Sequence, residues 1–305
     1  MKILLALSVS LLLLVSPPLE AQNLHEKSNS ASDTISFRLT SFNNIVLHAI
    51  LNETDSLDLM FHTAANDMTL IESVRDRLKS VNYGEADSVN SWGGQGSSRR
   101  SMGNSLQVGK QNWTEVTIWE NKHSGQETDG KIGMDFFMGR ILEINYEQNF
   151  IAVHLKLPML NTNFEELPLE LNSGMRFLKG KMTLGEENFE NSFLIHSGYA
   201  GSLLLDDAFA QKHKLDSQLK ILEEKILKDS YGNELKTLKA LMPGFQLGNI
   251  HFDQLPVGFF SGALGRQKIS VMGGDLLKRF NWIFDLQEER VYIQPNANIK
   301  LAYRE

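Results

Sequence analysis

Leu59-Met60-Phe61-His62-Thr63-Ala64-Ala65 and Phe193-Leu194-Ile195-His196-Ser197-Gly198 carry one pattern twice: three apolar residues, a His, a small hydroxyl residue, then Ala or Gly. An apolar run cut off by small polar residues reads as a buried strand entering a tight loop. The likeness extends outward from both copies. Residues Phe37 to Ala65 match Leu169 to Gly198 in their apolar positions, with His62 and His196 134 residues apart. Farther on, GMDFFMGRILEINYEQNFIAV from Gly133 matches GGDLLKRFNWIFDLQEERVYI from Gly273 without a gap, and Asp135 and Asp275 are 140 residues apart. The offset changes so little that one ancestral unit, duplicated, accounts for both halves.

Each half is mostly β by pattern. Apolar or alternating runs are separated by turn signals at Asn43-Asn44, Gly93-Gly94, Gly185, Gly232-Asn233 and Gly248-Asn249. Helical period is expected over Asp206–Lys228, with Asp206 and Asp207 at its start, and a shorter helix over Leu70–Lys79. Residues 35–158 then form an N-terminal lobe, 159–168 a connection, and 169–305 a C-terminal lobe. The expected fold class is all-β with a few short helices.

Ahead of the lobes, residues 1–21 pair Lys2 with an apolar run from Ile3 to Val15 and end in a small residue, Ala21, as a secretory signal peptide does. Residues 22–34, polar and rich in Ser and Asn, are expected to be a disordered leader. A secreted or periplasmic location follows. The net charge of −7 argues against nucleic acid or an anionic membrane as partner, and the chain has no Cys, which excludes disulfides, thiolate metal sites, a Cys nucleophile and a lipobox. A monomer is expected.

The doubled loop, followed each time by an apolar-Gly-x-Asp segment (Ile132-Gly133-Met134-Asp135, and Met272-Gly273-Gly274-Asp275), resembles the pepsin and retropepsin aspartyl protease superfamily. The resemblance runs from about Ile35 to Ile293 and implies a two-lobed acid-protease fold. It also implies a Gly-rich flap segment near Trp92, Gly93 and Gly94, and an inter-lobe cleft for an extended peptide. In that family each loop reads Asp-Thr/Ser-Gly, and the two carboxylates share a proton to activate water. Here His62 and His196 stand at both carboxylate positions. Thr63 and Ser197 keep the hydroxyls that bond across the loops in the family, Gly198 keeps the glycine, and Ala64 replaces its counterpart. The chain's Asp-Thr and Asp-Ser pairs, at Asp33, Asp55, Asp87, Asp216 and Asp229, are never followed by Gly, and Asp129-Gly130 lacks the hydroxyl. Asp135 and Asp275 are expected to cap the helices that follow them.

The function expected is therefore a secreted protein of this family with a degenerate dyad, a peptide- or protein-binding module without catalysis. The alternatives are a hydrolase using His62 and His196 as general acid and base or as metal ligands, and a structural role in the envelope. No cofactor is expected. Zinc is the minor alternative, since two His need a third protein ligand, for which Asp67, His48, His154 and His251 are the candidates. His25 and His213 read as surface residues and His123 as a loop residue. Arg99-Arg100 reads as a solvated loop pair. The sequons at Asn52 and Asn112 are patterns short enough to arise by chance. Of the four Trp, Trp282 belongs to a buried late strand, and only Trp92 invites a functional role.

Overall fold

The computed structural model describes residues 32–91, 94–123, 125–228, 234–260 and 267–304. The first half contains β1 (Asp33–Leu39), β2 (Ile45–Leu51), β3 (Asp55–His62), β4 (Met68–Ile71), β5 (Ala86–Ser91), β6 (Gly94–Val108), β7 (Gln111–Asn121), β8 (Gly130–Gly133), β9 (Ile141–Asn145) and β10 (Phe150–His154). Then come β11 (Glu165–Pro168), β12 (Glu170–Asn172), β13 (Met175–Leu184), β14 (Glu187–His196) and β15 (Leu203–Leu204). The short helices α1 (Asp207–Lys212) and α2 (Leu215–Gln218) precede β16 (Ile221–Lys228), β17 (Glu234–Leu247), β18 (Ile250–Phe259) and β19 (Ser270–Gly273). A single turn, α3 (Gly274–Leu277), leads into β20 (Phe280–Asp285) and β21 (Arg290–Pro295). Among the described residues no helix is long and apolar enough to cross a membrane.

The duplication read from sequence is a duplication of topology. In the first half β3 pairs in parallel with β8, β8 antiparallel with β4, and β4 in parallel with β7. In the second half β14, β19, β15 and β18 repeat those relations in the same order. His62 lies opposite Gly133 and His196 opposite Gly273, so the two quoted segments of each half are neighbouring strands. Both glycines are required where they stand. A Cβ on Gly133 would overlap the Ala65 carbonyl, and one on Gly273 would overlap Tyr199 and the Gly201 carbonyl.

The halves are welded by a shared sheet. Strand β9 of the first half pairs with β20 of the second, Ile144 opposite Trp282, giving the order β11-β21-β20-β9-β10-β1 through the middle of the molecule. One face of this sheet carries Ile141, Ile283 and Tyr292, covered by Leu160 and Phe164 from the connecting segment. Leu142, Ile144, Trp282 and Phe284 belong to a core shared with Phe61, Ile132, Phe193 and Ile195. Each of these fully buried side chains contributes roughly 1.5–3 kcal/mol.

Several expectations change. Strand β1 begins at Asp33, inside the stretch read as leader; its buried carboxylate accepts from the Lys110 backbone N–H at 2.7 Å, while residues 1–31 lie outside the described chain. The helix expected over Leu70–Lys79 is the end of β4 followed by a 3₁₀ turn, Glu72–Arg77. The long helix expected over Asp206–Lys228 stops at Gln218, and Ile221–Lys228 is an edge strand paired with β17. Leu222 and Ile226, four apart, mimic helical period, yet they belong to a strand, Leu222 at a bulge in its pairing, and both are exposed. Asp206 does cap α1, accepting from the Phe209 N–H at 2.8 Å. Neither Asp135 nor Asp275 caps its turn. Each lies inside the turn and pairs with a cation, Arg176 at 3.1 Å for Asp135 and Lys278 at 2.8 Å for buried Asp275.

Candidate functional site

Strands β3 and β14 end at the centre of the molecule, and their loops close with the same bond: Ala65 N–H donates to the His62 carbonyl at 3.3 Å, Tyr199 N–H to the His196 carbonyl at 3.1 Å. The loops are then locked to each other. The Thr63 hydroxyl donates to the Ile195 carbonyl at 2.8 Å and accepts from the Ser197 N–H at 2.9 Å. The Ser197 hydroxyl donates to the Phe61 carbonyl at 2.7 Å and accepts from the Thr63 N–H at 3.0 Å. Both side chains are buried, so four bonds reciprocal about a local two-fold satisfy groups that water cannot reach.

This lock presents the two His to each other. Their rings meet edge to face with centroids 4.5 Å apart. His62 Nδ1 accepts from the Ala64 N–H at 3.1 Å, so the neutral ring carries its proton on Nε2. His62 Nε2 lies against Gly198, where a Cβ would overlap it; this glycine is what gives the ring its place. The counterpart Ala64 keeps its Cβ without conflict, packed against the apolar cluster of Phe177, Leu194, Leu204 and Val271. The symmetry ends at the rings. His196 is half-buried, but its Nδ1 is covered and has no hydrogen-bond partner.

Burial holds the His62 pKa well below that of a free imidazole, with His196 and Lys131 adding in the same direction. Burial and then Lys131 bring His196 down to about 4. Lys131 is a site residue that the sequence reading passed over. It sits on β8 opposite Met60, two residues before Gly133, and points away from the core that Leu59, Phe61 and Ile132 enter. Its own pKa is lowered by burial, with Asp67 opposing. A charged residue just before the apolar-Gly-x-Asp segment was the available signal.

The other candidates lie apart. Asp67, His48 and His251 are exposed, and His154 bonds Glu143 at 2.9 Å. Among the described residues no group of three or more His, Asp or Glu is arranged to hold a metal ion. The β5–β6 hairpin, Ser91 opposite Gly94, forms where the Gly-rich flap segment was expected; Trp92 and Gly93 lie outside the described residues. His123 is exposed, whereas His213 is half-buried, its ring 4.0 Å from Phe189 and 4.4 Å from Phe209 between centroids. Arg99 and Arg100 are not a loop pair: both are on β6, Arg99 bonded to buried Glu120 at 2.8 Å and Arg100 paired with Asp87 at 3.3 Å. Glu120 also takes Arg75 at 3.0 Å, a buried carboxylate needing both cations. The Asn52 amide is engaged by Ser80, Asn104 and Ser105.

By sequence the chain matches no protein-family model and no curated protein. By structure it is similar to the aspartic proteinase of Irpex lacteus, with a TM-score of 0.57 at 12% identity over 89% of this chain and 99% of that one. The fold is that of the pepsin-like aspartic proteinases. Within this pepsin-like fold, His62 and His196 are the residues that the loop-to-loop lock brings face to face. The sequence motifs pointed to the two residues that meet where the loops lock, and not to Lys131, which adds to the effect of burial on both rings.

Proposed function

We propose that this chain is an exported pseudoprotease: a pepsin-like fold whose inter-lobe groove takes an extended peptide or protein segment by strand-like hydrogen bonding and does not cleave it. The signal-like residues 1–21 support export. The observation that carries the proposal is the His62–His196 pair, held face to face by Thr63 and Ser197 with no carboxylate between them. Aspartic proteolysis needs one carboxylate to take the proton of water and a protonated one to polarise the carbonyl. Two neutral imidazoles supply neither. Hydrolysis through the His themselves is disfavoured by the same burial, because a base with a pKa of about 4 draws a proton from water poorly near neutrality.

The test is incubation of the purified mature chain with unfolded casein between pH 3 and 7, alongside binding of a hydroxyl-bearing mimic of the tetrahedral intermediate. No cleavage and weak inhibitor binding are expected. Proteolysis abolished by His62→Ala or His196→Ala would replace the binding module with a hydrolase.

A further inference from the structure

Three unpartnered polar features converge at the His pair. Lys131 makes no hydrogen bond or ion pair among the described residues, and the acidic group acting on it, Asp67, is exposed and forms no ion pair with it. His196 Nδ1 is covered and orphaned. His62, with Nδ1 occupied by the Ala64 N–H, has its remaining proton on Nε2, on the side of Gly198 and His196. Buried polar atoms are seldom left unpaired, so an orphaned one beside an unpaired ammonium calls for an explanation.

The strand register places these groups on one side. Along β3 and β8 the pairs Leu59–Gly130 and Phe61–Ile132 enter the core, so the alternate pairs, Met60–Lys131 and His62–Gly133, share the other face, the one on which His62 meets His196. The lysine charge reaches both imidazoles. A cation with no paired anion, beside an imidazole N–H, is the arrangement that accepts a carboxylate through charge-assisted hydrogen bonds. A neutral ligand would leave the ammonium uncompensated, which is costly in a partly desolvated site.

We propose that Lys131, His62 and His196 form a carboxylate-binding subsite, so that the segment taken by the groove carries an acidic group over the His pair. The carboxylate comes from an Asp or Glu side chain or from a peptide C-terminus. The inference rests on the groove-binding function above and narrows it to acidic ligands. Lys131 acts in it as a specificity residue and no bond is made or broken.

The experiment exposes the full mature chain, immobilised, to two randomised peptide libraries, one amidated at the C-terminus and one with a free C-terminus, and sequences the retained peptides by mass spectrometry. The expected result is enrichment of Asp or Glu at one position by roughly tenfold, the scale of one charge-assisted hydrogen bond. In Lys131→Met that enrichment disappears while the apolar preferences at the other positions persist. Met matches the facing Met60 and removes a buried charge, so the variant is expected to fold, and its circular dichroism and urea midpoint check that. Enrichment confined to the free-C-terminus library, without a residue preference, assigns the subsite to a terminal carboxylate. Peptides retained with no acidic preference, or with one unchanged by Lys131→Met, overturn the subsite and leave groove binding standing. No retention from either library overturns both.

Discussion

Acidification from pH 7 to 5 should destabilise this protein through its His pair. Both imidazoles have folded pKa values below the unfolded value of about 6.5, so the unfolded chain binds protons that the folded chain refuses. Stability from this source is present above pH 6.5 and is lost as pH falls toward the folded value. For His196, with a folded pKa of about 4, the unfolded ring is almost fully charged at pH 5 and the folded ring almost fully neutral. That imbalance favours unfolding by ~2 kcal/mol at pH 5 and by almost nothing at pH 7. His62 adds in the same direction, because burial, His196 and Lys131 all oppose its charging. The control is His62→Asn with His196→Asn, which keeps a donor and an acceptor at each position and cannot titrate. With a urea slope of ~3 kcal/mol/M, His196 alone should lower the midpoint by ~0.7 M between pH 7 and 5, beyond any change in the double Asn variant. Carboxylates elsewhere titrate in both proteins and cancel. Equal pH-induced shifts in parent and variant would refute a buried neutral pair.

Two further predictions concern the lock. Thr63→Val leaves the Ile195 carbonyl and the Ser197 N–H without partners in a buried site and should cost ~2–5 kcal/mol in urea unfolding, whereas Thr63→Ser, which keeps the hydroxyl, should cost under ~1.5 kcal/mol. Gly198→Ala should cost ~1–3 kcal/mol by driving a Cβ into the His62 imidazole, and adding His62→Ala should recover part of that loss; strictly additive costs in the double-mutant cycle would show that the ring does not rest on Gly198.

Much of the architecture was legible because it was written twice. Apolar runs ending in His-Thr-Ala and His-Ser-Gly, and Gly133 and Gly273 at a nearly constant offset, fix which strands run side by side, since those glycines are the residues that let a loop cross the strand. The repeat also held an unused signal. Strand β5 of the first half, carried forward by the repeat offset, falls on 221–228, the segment misread as helix; strand pairing is non-local, and local period cannot see the partner that β17 supplies. The Thr63–Ser197 lock was implied by the family resemblance, and the structure forms it. Sequence by itself thus determined the duplicated β fold and the two loops at its centre. Tertiary structure alone decided the chemical state of the site: which nitrogen of His62 is occupied, that His196 Nδ1 has no partner, and that Lys131 turns toward the pair. Those properties depend on desolvation and on charges brought together from strands far apart in the chain, and no local pattern of residues encodes how deeply a ring is buried or which ammonium lies beside it.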